Sequence, residues 1–275
     1  MKIDGKAIAN TYIAEIEQKV ARRPRPPHLV CLLIGDHLPS RTYVSAKRRV
    51  AESIGIGVLV EEFPDSILTE RLQEVIERHN RDSDVDAILV QFPLPSHVDK
   101  MAILEAIDPN KDVDGFHPIN AGKLAIGDMS GFIPCTPLGV VALLDASHVD
   151  IAGKEAVVIG RSTIVGKPLA LLLAARDATV TLAHSKSSDL TSITRRADIL
   201  CSAVGSPRLI GPDHVKEGAV VIDIGITRDG KRLTGDVDYD AVSPLCSAIT
   251  PVPGGVGPMT IAMLMANTLQ AAEGR

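Results

Sequence analysis

Aromatic residues are nearly missing from this chain: they make up 3% of its 275 residues, and there is no Trp. The core must then be filled by Val, Ile, Leu and Ala, which suits parallel strands buried beneath helices. Cysteine is scarce too. The four present (Cys31, Cys135, Cys201 and Cys246) are widely scattered and form no CxxC pair, so neither a zinc site nor a disulfide framework is expected. There is no HExxH, no His pair and no Asp/Glu cluster at ligand spacing, so no metal is expected. No apolar run approaches the ~20 residues needed to span a bilayer. The opening MKIDGKAIAN is charged and amphipathic rather than a signal peptide. No membrane partner is expected, and the expected location is the reducing cytoplasm. With a net charge of −5 and no long Lys/Arg stripe, the chain also lacks the electrostatic footprint of a nucleic-acid binder.

What is present is the profile of a globular protein, 45% apolar and 23% charged. The length allows one large domain or two ordinary ones. Residues 4–22 read as an amphipathic helix, with Ile8, Tyr12, Ile16 and Val20 near helical spacing. HLVCLLIG (His28–Gly35) is a short apolar run closed by Gly and reads as a buried strand. SRTYVSAKRRVAESIG follows as a helix, with Ser40 as its N-cap and Gly55 as its stop. Then come a strand over Gly57–Glu61, a helix over Leu68–Asn80 and a strand over Ala87–Val90. This rhythm implies βαβ units and a mostly parallel sheet. From Pro93 to Pro137 the pattern loosens into a stretch rich in Pro and Gly, expected to be connecting or functional rather than packed. A second run begins at Ala156: strand AVVIG, a helix to Arg176, strand ATVTLA, helix DLTSITRRA, strands DILCSAV and AVVIDIGI, and a terminal helix from Thr260 to about Ala272. That is the rhythm of a doubly wound domain.

VVIGRSTIVGKPLALLL places Gly160 at a strand end and Gly166 before an apolar helix. Five residues separate them, which is not the usual G-x-G-x-x-G. Gly still permits the tight turn, and the unpaired N–H groups of the helix N-terminus attract phosphate. Pro168 suits the first helical turn, where its missing N–H costs nothing. An ordinary βα loop would carry some of the same residues. The end of the next strand adds information, because NAD sites usually carry an acid there for the ribose 2′-hydroxyl. Here it runs into His184-Ser185-Lys186, with no carboxylate before Asp189. A hydroxyl and a cation, with Arg161 nearby in the loop, suit a 2′-phosphate and favour NADP.

Tyr43 and Lys47 are four apart on the expected second helix and share one face. That helix starts just after Gly35-Asp36, at the carboxyl edge of the sheet, where open α/β sheets bind ligands. A Tyr–Lys pair is suited to proton chemistry, though the same spacing is common on plain surfaces. Gln91, in VQFPLP, ends another strand at that edge. KDVDGFHPINAGKL concentrates charge, Gly and His117 in one loop, where Asp112 and Asp114 read equally as turn formers.

Taken in order, SRTYVSAK, VQFPLP, KDVDGFHPIN, PCTP, GRSTIVGKP and PVPGGVGPMT resemble bifunctional methylenetetrahydrofolate dehydrogenase/methenyltetrahydrofolate cyclohydrolase, from Asp4-Gly5-Lys6 to the last helix. His37-Leu38 departs from the typical pattern. The resemblance implies NADP-dependent oxidation of 5,10-methylenetetrahydrofolate to the 5,10-methenyl form and its hydrolysis to 10-formyltetrahydrofolate, in one-carbon metabolism and purine biosynthesis. It implies Lys47 as the central catalytic residue, Tyr43 beside it, Gln91 tuning the lysine, and Asp114, or alternatively Asp112, gripping the pterin ring. Pro253, Gly254 and Gly255 would let backbone approach the folate. Gly160, Arg161, Ser162, Ile164, Val165, Gly166, Ser185 and Ile226 would hold NADP, with Arg161 and Ser185 on the 2′-phosphate.

The implied fold is α/β with two domains and the active site in the cleft between them. A three-layer catalytic domain would comprise residues 1–138 and 257–275, and a Rossmann-type doubly wound NADP-binding domain residues 139–256. A homodimer is expected. Two neighbouring readings are a dehydrogenase-only member and a non-catalytic folate- or nucleotide-binding module; intact Tyr43, Lys47, Gln91 and Asp114 speak against the second.

Overall fold

The alternation read from the sequence is present in the computed structural model, which describes residues 1–229 and 232–274. Two units account for them: Thr11–Cys135 with Leu264–Arg275, and Met1–Asn10 with Thr136–Met263. This division differs from the expected one at the start of the chain and in the terminal helix, which divides at Leu264 rather than at residue 257. Lys2 bridges to Ile249, and the Ile3 N–H donates to Ile249 O at 2.8 Å, which ties the first residues to the second unit.

The first unit is built from α1 (Gly5–Val20), whose first residues belong to the other unit, and from β1 (His28–Ile34), α2 (Leu38–Ser53), β2 (Gly57–Phe63), α3 (Thr69–Arg81) and β3 (Ala87–Val90). The strands form a parallel sheet in the order β2-β1-β3, with His28 opposite Gly57 and Leu29 opposite Ala87. The central strand β1 is buried along all but its first residue, as its unbroken apolar run requires. On α3, Leu72, Val75, Ile76 and His79 fall at i, i+3, i+4 and i+7 and make its buried stripe. The three apolar ones pack with Val30, Leu32 and Val90 of the sheet, each such burial contributing about 1.5–3 kcal/mol.

Two expectations need correction here. Helix α2 starts at Leu38 with His37 at its N-cap, not Ser40. Pro39 already has the φ of a first helical turn, so the helix begins before the serine, and Ser40 Oγ pairs instead with His37 Nδ1 at 3.0 Å. The stretch from Pro93 to Pro137 is not structureless. It holds α4 (Lys100–Ala106), α5 (Pro118–Ala125) and the start of α6 (Cys135–Ala146). The Asp99 side chain accepts from Met101 and Ala102 N–H groups to cap α4, and His117 Nδ1 accepts from Ile119 N–H to cap α5.

The second unit continues with β4 (Glu155–Ile159), α7 (Gly166–Ala174), β5 (Thr179–Ala183), α8 (Leu190–Thr194), β6 (Ile199–Ser202), β7 (Val220–Asp223), the pair β8 (Thr227–Asp229) and β9 (Arg232–Thr234), α9 (Tyr239–Val242), β10 (Ala248–Ile249) and the start of α10 (Val256–Glu273), whose residues from Leu264 on belong to the first unit. Five strands pair in parallel in the order β10-β7-β6-β4-β5. From β4 the chain first adds β5 on one side, then crosses to β6 on the other. The topological switch point, where doubly wound sheets bind nucleotides, therefore lies between the carboxyl ends of β4 and β6. No helix among the described residues is long and apolar enough to cross a membrane.

Candidate functional site

In the three-stranded unit the carboxyl edge of the sheet brings α2 and the end of β3 together. The Gln91 N–H donates to Leu32 O at 2.9 Å, extending β3 alongside β1 and fixing where its side chain leaves. Gln91 Nε2 donates to Phe92 O at 2.7 Å, which turns the amide so that Oε1 accepts from Lys47 Nζ at 3.1 Å. Tyr43, one turn before Lys47, is 40% exposed, and burial of the rest of its ring raises its hydroxyl pKa.

Asp112 and Asp114 differ sharply in what they touch. Asp112 Oδ2 accepts from His117 N–H at 2.7 Å and Asn120 Nδ2 at 3.0 Å, so its buried carboxylate holds the start of α5. Asp114 is half-buried, and its Oδ1 takes the Cys135 thiol at a long 3.9 Å. Desolvation raises the Asp114 carboxyl above its ordinary pKa; the nearby Lys47 charge opposes that and the Asp112 charge adds to it.

Sequence reasoning missed the layer beneath. The buried Asn267 of α10 donates to Val113 O at 2.8 Å and Ile133 O at 3.0 Å, and reaches Cys135 Sγ at 3.6 Å, so it clamps the backbone on either side of the site. Cys31 and Cys135 lie here as well. Burial pushes the Cys31 thiol up to about 12 and the Cys135 thiol well above its ordinary range, so neither presents a thiolate nucleophile. Among the described residues no three His, Cys, Asp or Glu side chains gather as a metal site would need.

In the five-stranded unit the irregular glycine spacing has a direct cause. A Cβ on Gly166 would sit 1.9 Å from Gly160 O, and one on Gly160 would sit 2.5 Å from Ala203 O. The two glycines close the loop on itself and on the end of β6, directly at the switch point. Between them Ser162 Oγ accepts from the Val165 and Gly166 N–H groups at 3.1 and 3.3 Å, so the serine holds the start of α7. Ile164 and Val165 are half-buried, and Arg161 is exposed. After β5, an edge strand, the 184–187 turn is fixed by His184 N–H to Ser187 Oγ at 3.0 Å and leaves Ser185 and Lys186 exposed. The first carboxylate downstream, Asp189, is engaged as the cap of α8, accepting from Ser192 N–H at 3.1 Å. Ile226 is 39% exposed beyond β7. Pro253, Gly254 and Gly255 form the turn before α10. Gly254 O accepts from Lys6 N–H at 3.1 Å, and Gly255 O lies against Gly5, so the close backbone approach found there is to the chain's own N-terminal segment.

Comparison with known proteins gives two family models that together cover nearly all of the chain. Residues 3–114 match "Tetrahydrofolate dehydrogenase/cyclohydrolase, catalytic domain". Residues 134–275 match "Tetrahydrofolate dehydrogenase/cyclohydrolase, NAD(P)-binding domain". The bifunctional protein FolD of Geobacillus thermodenitrificans is 51% identical over 98% of this chain and 96% of its own. Among solved structures, the bifunctional FolD enzyme of Campylobacter jejuni superposes with a TM-score of 0.98 at 46% identity, covering 100% of this chain and 99% of that one. The Trypanosoma brucei dehydrogenase-cyclohydrolase, solved with NADP and an inhibitor, gives 0.95 at 40% identity over 99% and 97%.

Proposed function

The chain belongs to the tetrahydrofolate dehydrogenase/cyclohydrolase family, and from that premise we propose how its side chains oxidise 5,10-methylenetetrahydrofolate with NADP and hydrolyse the methenyl product to 10-formyltetrahydrofolate. The observation that carries the assignment is the Lys47 Nζ–Gln91 Oε1 bond at 3.1 Å, with the amide itself anchored on Phe92 O.

Loss of hydride from a carbon flanked by two nitrogens leaves a delocalised cation. The Lys47 amine lies beside that carbon, oriented through the N–H it gives to Gln91. That same amine then takes a proton from the water that attacks the methenyl carbon. Tyr43 flanks it as a partly exposed wall of the site. Asp114 grips the pterin amino and ring N–H groups. Support for it over Asp112 comes from hydrogen bonding: Asp112 is occupied by the start of α5, whereas Asp114 meets only the weak thiol donor of Cys135. Pro253, Gly254 and Gly255 are proposed to border the folate.

NADP, when bound, supplies the hydride acceptor. The residues present fit it: Gly160 and Gly166 leave no room for side chains at the phosphate turn, and β5 runs into His184-Ser185-Lys186, with its first carboxylate, Asp189, turned to the start of α8. Ser162 holds the start of α7 and Ile164, Val165 and Ile226 line the site, while Arg161 and Ser185 take the 2′-phosphate. An absorbance trace of methylenetetrahydrofolate with NADP tests both reactions together. NADPH should appear first, and the methenyl intermediate should then decay faster than its spontaneous rate; decay at the spontaneous rate would leave a dehydrogenase alone. In the same assay R161A should raise KM for NADP about tenfold, since a charge-assisted hydrogen bond to phosphate contributes roughly 1.5–3 kcal/mol, and should leave KM for NAD unchanged. Equal KM changes for both dinucleotides would refute the 2′-phosphate role.

The proposal also includes a homodimer acting in the cytoplasm and supplying one-carbon units to purine biosynthesis. Family membership supports it, as do the four free thiols, which suit a reducing compartment. A single-subunit mass by analytical ultracentrifugation would remove the dimer.

A further inference from the structure

Two buried carboxylates in the five-stranded unit have no part in the chemistry above. Asp236 is fully buried and accepts three bonds: Ser202 Oγ at 2.9 Å, Val204 N–H at 2.8 Å and Ser206 N–H at 2.7 Å. Asp223, at the end of β7, holds Asp236 in turn, accepting from Asp236 N–H at 2.9 Å and Val237 N–H at 3.0 Å. Its own N–H donates to Thr250 Oγ1 at 2.8 Å, beside the end of β10. Gly225 faces this cluster, with no space for a Cβ beside the Asp236 carboxylate. The carboxyl ends of β6, β7 and β10 are thus joined through side chains beyond the point where the strand ladder stops.

The segment that Asp236 holds, residues 203–206, is the loop that follows β6. With the Gly160–Gly166 loop after β4 it makes the two walls of the switch point, and Gly160 abuts Ala203 O directly. We propose that Asp236 is a positioning residue for NADP: it fixes the 203–206 wall at the spacing the dinucleotide requires, and Asp223 fixes Asp236. The proposal rests on reading this edge as the NADP site. A neutral or apolar side chain could fill the same space. Three donors converging on one buried carboxylate instead set the loop's backbone by direction, and an unsatisfied N–H there would force it to move.

The test is Asp236→Asn in the full chain. An amide keeps the shape but turns one acceptor into a donor. Either orientation then sets an N–H against a backbone N–H, of Ser206 or of Val204. The expected result is a rise in KM and Kd for NADP of about tenfold or more, with hydrolysis of methenyltetrahydrofolate, which uses no dinucleotide, retained in the same preparation. A wild-type KM for NADP would overturn the proposal. Equal loss of both activities with a lowered Tm would also overturn it, since that marks a purely structural role. If the unmodified chain failed to reduce NADP, the reading of this edge would fall and the proposal with it. Should D236N not accumulate, S202A removes one donor and keeps both backbone bonds. It is expected to raise KM for NADP about threefold, and no change would overturn the proposal.

Discussion

Replacing Lys47 by Met is expected to slow hydrolysis of methenyltetrahydrofolate by about 10³-fold, the middle of the range for losing a positioned general base, with folate still bound. Met keeps the length and the apolar stem of the side chain, so α2 keeps its packing and only the amine is lost. Gln91 Oε1 loses its 3.1 Å donor but remains anchored through Nε2 on Phe92 O, which keeps the site from collapsing into the space. Asp114 and Tyr43 are untouched, so Kd for the folate should move by less than about fivefold, the scale of one lost neutral hydrogen bond. The comparison must be made against the spontaneous hydrolysis rate, because methenyltetrahydrofolate decays unaided. Hydrolysis by K47M at the wild-type rate would show that Tyr43 and Lys47 are only a surface pair at helical spacing. Loss of binding in proportion to rate would make Lys47 a ligand-holding residue rather than a base.

Much of this fold was legible because its strong elements are periodic. The Leu72-Val75-Ile76-His79 stripe of α3 and the unbroken apolar runs of β1 and β4 announce their own environment, and the alternation of such runs implies parallel sheets. The elements that escaped are short. Helix α4 has seven residues and α5 eight, about two turns each, too few for a hydrophobic repeat to show. Strand β10 has only two residues, and its pairing with β7 comes from residues nearly thirty apart in the chain. The start of the chain is hard to assign for a related reason: Ile3 finds its partner at Ile249, a contact no local pattern encodes.

The candidate site divides along the same line. Tyr43 and Lys47 are linked by helical spacing, and Gln91 by its place at a strand end, so all three could be read locally. Asn267 could not. It reaches Cys135 across 132 residues, and its only local signal is an amide in the apolar run AMLMANTL. A buried polar group in such a run needs partners, but the sequence does not say which. Asp223 offered a comparable clue, a carboxylate ending the apolar strand VVID, and its partner Asp236 lies beyond a hairpin. The KDVDG motif is ambiguous in another way, since its two aspartates look alike in sequence. Asp112 accepts from the His117 N–H just before α5, Asp114 lies within the influence of the Lys47 charge, and Lys111 is buried.

That lysine carries the largest stability effect expected in the molecule. Lys111 is 1% exposed, and its ammonium donates to three carbonyls at the end of α3: His79 O at 2.6 Å, Asn80 O at 2.7 Å and Asp82 O at 2.8 Å. Helix α3 ends without a glycine cap, at Asp82 in extended backbone. Its terminal carbonyls, which carry the negative end of the helix dipole, take this ammonium as a donor. The Lys111 backbone meanwhile accepts from Ile88 N–H at 2.8 Å, so the same residue joins the end of α3 to the edge of the sheet. In Lys111→Met the stem keeps its packing, but His79 O and Asn80 O lose their ammonium donor, at roughly 1–3 kcal/mol each, while Asp82 O keeps the Val85 N–H at 3.3 Å. Part of that is offset because a buried charge no longer has to be desolvated. The net expected cost is about 3–5 kcal/mol, the usual result of removing one side of a buried charged contact. Urea unfolding should show it as a lower midpoint with an unchanged slope, and hydrogen exchange should place the loss of protection in the last turn of α3. A shift below about 1 kcal/mol, within reach of a single ordinary surface contact, would mean that water replaces the ammonium at those carbonyls. The folate should bind K111M more weakly in proportion to the fraction unfolded and no further, because the backbone bond from Val113 N–H to Lys111 O and the Asn267 clamp on Val113 O both survive the substitution.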